Sequence, residues 1–395
     1  MLQLSFVNFK KGSYIVVEGQ DTSDRFYIIQ VGHVHCVHEA NVPVNNSNNI
    51  LGPGDFISVI PCMSNHLQIE SAIAMTDVVC ISVRRDQYPE LIERNTPVAM
   101  KIIRTFANKM RLLNENLTKL ALNNVAQDSP EQIFSSAAYY EKEKKFDIAV
   151  YGYYQYLKAN PTGPNAATAK QKFIQLKPRT HAVYFEPTQE LLRVYPKGTM
   201  VFSECQSGAE MYIIQEGAVR ITKVVDGQEV ILAVLKKGDM FGEMALLENK
   251  PRSASAIAHE NCRLMTVNRK NFDQMVATQP QLIARLTTTL AERLWSMYRQ
   301  LANTQLKEPL WKLLDMLALQ MEKAKVVMAT GSNYQTDLSV QDLVDMCGLP
   351  QNQQATAVYA FQNDSHVKIV NGKIYIPNCV ELAKQAAFYR KQTQK

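Results

Sequence analysis

Residues 238–258 read GDMFGEMALLENKPRSASAIA, and this stretch decides how the rest of the chain is understood. It opens on the turn signal Gly238-Asp239, passes a second glycine at Gly242, and sets a carboxylate, Glu243, nine residues ahead of a guanidinium, Arg252. Such an arrangement suits a small anion that also carries a hydroxyl. Gly242 lets the backbone approach closely. The peptide N–H groups of Met244 and Ala245, at the start of what reads as one short helical turn, can point at a phosphate. Arg252 adds a planar, permanently charged fork for the same oxygens. Glu243 would repel phosphate and is acceptor-only, so its natural partner is a sugar hydroxyl. Ser253 can add a hydrogen bond to the phosphate or to a base edge. Any single Glu–Arg pair reads as well as a surface ion pair in a loop, whereas the whole set argues for binding.

Working outward, the chain repeats itself. KKGSYIVVEG from Lys10 echoes PKGTMVFSEC from Pro196, RFYIIQVGHVHCV from Arg25 echoes EMYIIQEGAVRIT from Glu210, and residues 54–74 lie over 238–258 without a gap. Both copies alternate apolar and polar residues over short runs separated by glycine turns, the pattern of an antiparallel barrel or jelly roll. Each is followed by a long helical segment with a coiled-coil-like stripe: Ile103, Phe106, Met110, Leu113, Leu117 and Leu120 in the first, Ile283, Leu286, Leu290, Leu294, Met297 and Leu301 in the second. The copies differ where chemistry would occur. Ser58, Val59, Gln68 and Ile69 stand where the second copy has Gly242, Glu243, Arg252 and Ser253. A buried phosphate without its arginine would lack its main countercharge, so the first barrel is expected not to bind in the same way.

FGEMALL followed by PRSASA resembles the phosphate-binding cassette of the cyclic-nucleotide-binding domains found in Crp/Fnr-type regulators and in eukaryotic cyclic-nucleotide-dependent kinase regulatory subunits. The resemblance implies that Glu243 binds the ribose 2′-hydroxyl, while Arg252, Ser253 and the amides of Met244 and Ala245 hold the cyclic phosphate of cAMP or cGMP. It also implies that the long helix caps the base and forms a subunit interface, as a homodimer or as a pseudo-dimer within one chain. By alignment to the family, Arg293, Met297 and Tyr298 fall where base-contacting or cassette-bracing side chains occur, which adds Arg293 and Tyr298 to the candidate ligand-binding residues.

Between the copies lies a helical insert. Ala137, Tyr140, Ala149, Tyr153 and Pro161 match the spacing of a tetratricopeptide repeat, with the turn placed around Phe146-Asp147 and a further helix at 165–176. So short an array lacks the stacked neighbours that make a peptide groove, and a spacer docking on a nucleotide domain is the simpler reading. Tyrosines 139, 140, 151, 153, 154 and 156 are too many for a two-helix core, so some are expected to pack on a neighbour.

The C-terminal part resembles the winged helix-turn-helix of Crp/Fnr regulators. It reads as a helix from Pro309, a helix capped at Ser339 with a turn at Gly348, a candidate recognition helix from Gln351, and an Asn371-Gly372 hairpin turn. Its chemistry departs from that architecture. No lysine or arginine occurs between Lys325 and Lys368, while Asp337, Asp342, Asp345 and Asp364 fall in that interval. DNA binding draws most of its affinity from neutralised phosphates, leaving Lys368, Lys373, Lys384, Arg390 and Lys391 to supply them. DNA is therefore a doubtful partner, a protein partner is the alternative, and fold-level analogy does not establish the site.

Composition is compatible with this reading. Across 395 residues, 43 basic against 37 acidic side chains give a net charge of +6, which permits a nucleic-acid partner without demanding one. Seven cysteines form no CxxC pair, as expected of thiols in a reducing cytoplasm. No apolar run approaches a membrane span, so no membrane partner is expected. No nucleophile–base pair or metal constellation is visible, so a regulator rather than an enzyme is expected. The expected fold class is α+β multidomain: two jelly-roll barrels each with a long helix, a helical-hairpin insert and a winged helix-turn-helix-like end. The expected domains are 1–126, a degenerate cyclic-nucleotide-binding-like domain; 127–180, the insert; 181–306, a competent cyclic-nucleotide-binding domain; and 307–395, the output module. The expected function is a cyclic-nucleotide-sensing regulator coupled to a helix-turn-helix-like output module, with transcription as one output and a scaffold or protein-interaction regulator as the alternative.

Overall fold

The computed structural model describes residues 5–20, 24–38, 49–122, 129–225 and 227–393. The expected boundary at 126/127 and the side chain of Leu120 lie outside the described residues.

Both barrels are built from two four-stranded antiparallel sheets. In the first, one sheet runs Ser5–Phe9, Val78–Arg84, Arg25–Val31, Phe56–Ile57 and the other Tyr14–Val16, Ser71–Ala74, Val34–Val37, Ile50–Leu51. In the second, the orders are Met240–Phe241, Glu210–Glu216, Cys262–Asn268, Leu192–Tyr195 and Met200–Phe202, Ser255–Ala258, Val219–Val225, Gln228–Leu235. The repeat extends to irregularities. Register shifts fall between Tyr14 and Val16 and between Met200 and Phe202, and again between Ile29 and Val31 and between Ile214 and Glu216. Bulges placed alike in two divergent sequences are features of the fold rather than accidents. Inward-facing residues of alternating strands make each core, Val16, Ile29, Val34, Ile57 and Cys80 in one, Val201, Tyr212, Ile214, Phe241 and Leu264 in the other.

By contacts the chain divides into two compact units. One is built on Asp86–Leu290, the other on Gln3–Arg85 with Ala291–Lys395. The first long helix, Thr96–Leu122, thus counts with the second barrel, where it packs on the short helix Glu243–Glu248. The second, Pro280–Thr304, is divided, its residues from Ala291 onward counting with the first barrel. The stripes read from the sequence are the packed faces: Ile103, Phe106, Met110 and Leu113 are buried in one unit, Leu294 and Leu301 in the other.

In the Asp86–Leu290 unit, helices Pro130–Lys142, Phe146–Ala159 and Ala166–Leu176 form the insert. Its turn falls at residues 143–145, with Lys144 at φ 59°, so Phe146-Asp147 opens the second helix instead of making the turn. Gly152 lets the first two helices approach closely, since a Cβ there would lie 2.8 Å from that of Ala137. The surplus tyrosines divide as expected. Tyr140 Oη meets Thr222 Oγ1 and Tyr151 Oη donates to the Val201 carbonyl, both on the second barrel. Tyr153 and Tyr156 instead donate to Glu141 and Glu131 within the insert. Met200, Val224 and Ile257 of the barrel share one core with the insert.

In the other unit, Pro309–Lys323, Val340–Cys347, Gln351–Gln362 and Cys379–Thr393 accompany a three-stranded antiparallel sheet. Ser339 closes a capping box with Asp342, and Gly348 ends that helix in the left-handed region at φ 59°. Asn371 and Gly372, at φ 52° and 74°, turn strand Lys368–Val370 into Lys373–Ile376. The cations differ from expectation. Arg390, its side chain one-quarter exposed, pairs with Asp315, which is fully buried and also meets Arg299 and Asn303. Lys373 donates to the Asp337 carbonyl and Lys384 pairs with Glu381. Among the described residues no helix is long and apolar enough to cross a membrane, and no group of three or more potential metal ligands occurs.

Candidate functional site

The second barrel brings Gly242, Glu243, Met244, Ala245, Arg252 and Ser253 together. Gly242, at φ 77° and ψ 1°, is the N-cap of Glu243–Glu248, so the first amides of that short helix lack intrahelical acceptors. Glu243 is 2% exposed and Arg252 4%. The Arg252 guanidinium donates from Nη1 to the Gly242 carbonyl at 2.7 Å and lies 4.1 Å above the Phe202 ring centroid and 6.0 Å from that of Tyr212. Its Nε is buried and makes no hydrogen bond among the described residues. Burial pushes its pKa below the ordinary guanidinium value, opposed by Tyr212, Tyr151, Glu210 and Glu243. Aromatic faces hold a weakly hydrated cation in place without using up its charge. Ser253 Oγ lies 3.7 Å from Met244 Sδ.

Two glycines make room for this guanidinium. A Cβ on Gly242 would lie 2.8 Å from Nη1, and one on Gly208 would lie 2.4 Å from Nε. Gly208, Phe202 and Tyr212 were not evident from the motif. The repeat held one signal for Phe202, because Val16 stands in its place in the copy that lacks the arginine. A buried pair was also missed: Lys223 Nζ meets Glu204 at 2.8 Å, and the Glu204 amide donates to Ser255 Oγ.

The first barrel keeps the backbone and loses the chemistry. Ser58 holds the left-handed conformation of Gly242 at φ 65°. Its hydroxyl and the amide of Gln68 bond to each other at 3.0 and 2.7 Å, both residues buried. A neutral, mutually satisfied pair replaces the buried cation. Arg293 and Tyr298 are counted with the unit built on Gln3–Arg85 and Ala291–Lys395. The second long helix is divided after Leu290, and Tyr298 stacks on His38 of the first barrel with centroids 5.6 Å apart and planes at 18°. Beside it Trp295 stacks on His66 at 3.8 Å and donates from Nε1 to the Leu67 carbonyl at 3.3 Å.

With this geometry established, comparison with known proteins is informative. Residues 6–95 and 192–279 match the cyclic nucleotide-binding domain family. The cyclic AMP receptor protein of Thermus thermophilus is 37% identical over 26% of this chain, and the match spans 48% of that relative, about half its length. The CRP-like cAMP-activated global transcriptional regulator of Mycobacterium tuberculosis is 26% identical over 49% of this chain and 86% of its own. The human cGMP-dependent protein kinase 2 is 31% identical over 35% of this chain and 18% of its own. The cassette at Gly242–Ser253 and its altered counterpart at Ser58–Ile69 therefore lie within the two segments that match the cyclic nucleotide-binding domain family.

Proposed function

We propose that the protein is a cyclic-nucleotide-responsive regulator with one competent site, in the second barrel, taking cAMP or cGMP. The observation that carries this reading is Arg252: a guanidinium 4% exposed, held by a carbonyl and two aromatic rings, with its Nε making no hydrogen bond among the described residues. A cyclic phosphate would complete its donors, and Ser253 and the amides of Met244 and Ala245 would share the same oxygens. Glu243 would accept from the ribose 2′-hydroxyl. In the first barrel, Ser58 and Gln68 satisfy each other and offer no countercharge.

The test is a calorimetric titration with cAMP, cGMP and linear 5′-AMP. The reading expects binding of at least one cyclic nucleotide and much weaker binding of 5′-AMP; no heat with either cyclic nucleotide at millimolar concentration would reject it.

The output lies in the C-terminal elements, whose resemblance to a winged helix-turn-helix and whose transcriptional relatives favour DNA. A second reading, docking to a protein, is favoured by the engagement of Arg390 with the buried Asp315 and by the absence of lysine and arginine from 326–367. Duplex binding at low salt, with and without nucleotide, separates the two. Absence of affinity in both states would eliminate the DNA version.

A further inference from the structure

Arg111 lies on the first long helix, in the copy whose own pocket has lost its cassette. It is 7% exposed, and its Nη2 donates to the Pro251 carbonyl at 3.0 Å. That carbonyl belongs to the peptide group whose N–H is the amide of Arg252, and this amide donates to the Gln206 carbonyl at 2.9 Å. One peptide plane is thus gripped at both ends, immediately before the Cα of Arg252. The Arg252 carbonyl in turn accepts from the Cys205 amide at 2.9 Å.

The contact is repeated in the other unit. The gapless register that overlays Gly54 on Gly238 carries Leu67 onto Pro251 and Arg111 onto Trp295. Trp295 donates its Nε1 to the Leu67 carbonyl, just before Gln68, the counterpart of Arg252. Each long helix therefore holds the carbonyl preceding the key cassette residue of the other copy. Two unrelated side-chain types converging on one backbone atom mark a positional requirement. At the first barrel the donor is a neutral indole stacked on His66; at the second it is a guanidinium.

We propose that Arg111 is a positioning residue for the nucleotide site: by fixing the Pro251–Arg252 peptide it sets the aim of the Arg252 guanidinium and ties ligand occupancy to the helix Thr96–Leu122. The proposal rests on the second barrel being the cyclic-nucleotide site. It gives the degenerate first copy a role, because its helix completes the competent one. A hydrogen bond from a charged donor is strong enough to matter to an aim that must hold within a fraction of an ångström.

The experiment is calorimetric titration of the full chain with cAMP and cGMP, comparing wild type, Arg111→Met, Arg111→Lys and Trp295→Phe. Arg111→Met is expected to weaken affinity about tenfold, a typical worth for one charged hydrogen bond. Arg111→Lys, which keeps a donor, is expected to recover part of that loss, and Trp295→Phe to match wild type. Hydrogen exchange on the wild type supplies the second readout: nucleotide should slow amide exchange in the helix around Arg111. Wild-type affinity in Arg111→Met would overturn the proposal, and so would unchanged exchange in the helix of ligand-saturated wild type, even were Arg111→Met to fail to fold. Failure of the wild type to bind any cyclic nucleotide would instead reject the underlying site assignment.

Discussion

A single buried guanidinium sets the requirements at the scale of the residue. Arg252 is enclosed by Phe202, Tyr212 and the Gly242 carbonyl, and at Gly208 and Gly242 a Cβ would meet its guanidinium group. Gly208→Ala should therefore displace the guanidinium and weaken nucleotide affinity severalfold while leaving the ligand-free melting temperature within a few degrees; calorimetry and thermal unfolding on the same preparation check it. Arg252→Lys keeps the charge but loses the fork, and should weaken binding about ten- to a hundredfold. Much of this site was legible. Gly242, Glu243, Arg252 and Ser253 are close in sequence, and the cassette they resemble implied their meeting. Phe202 and Tyr212 come from other strands, and no spacing rule links them to Arg252. Their approach depends on how the two sheets fold over each other, which local pattern does not record.

Elements were read well where the signal is local. The Ser339 cap, the Gly348 stop and the Asn371-Gly372 turn appear where turn chemistry put them. Ser339→Ala should cost about 1 kcal/mol, the usual worth of an N-cap, measurable as a lower denaturation midpoint. The turn after Lys142 was misplaced because Lys144 adopts a left-handed conformation that lysine rarely signals. The insert's role as a docked element is testable too. Tyr151→Phe removes the bond to Val201 and should destabilise the Asp86–Leu290 unit by about 1 kcal/mol without changing its helix content.

Across the whole molecule, the sequence concealed which helix serves which barrel. Periodicity identifies an apolar stripe but not the surface it covers, and nothing in the stripe signals that the Tyr298 ring stacks on His38 of the other copy. The same ambiguity hid the partner of Arg390. Its partner, Asp315, is distant in sequence and fully buried. Burial opposes ionisation of Asp315, but Arg299, Arg390 and Asn303 outweigh it and hold its pKa below the usual carboxylate range. A lowered folded-state pKa gives stability that is present above the unfolded value of about 3.9 and is lost as pH falls through the folded one. Both tryptophans, Trp295 and Trp311, lie in the unit that contains Asp315, so their fluorescence reports its unfolding. The denaturation midpoint followed this way should hold steady near neutrality and drop in acid below about pH 4. Asp315→Asn should start lower and show a shallower acid loss.

The central claim is that one chain offers one nucleotide site, in its second barrel. Equilibrium dialysis against labelled cyclic nucleotide counts the sites directly. The account predicts one ligand bound per chain at saturation and none in the double variant Glu243→Ala/Arg252→Ala. Two ligands per chain, or one retained by the double variant, would contradict it.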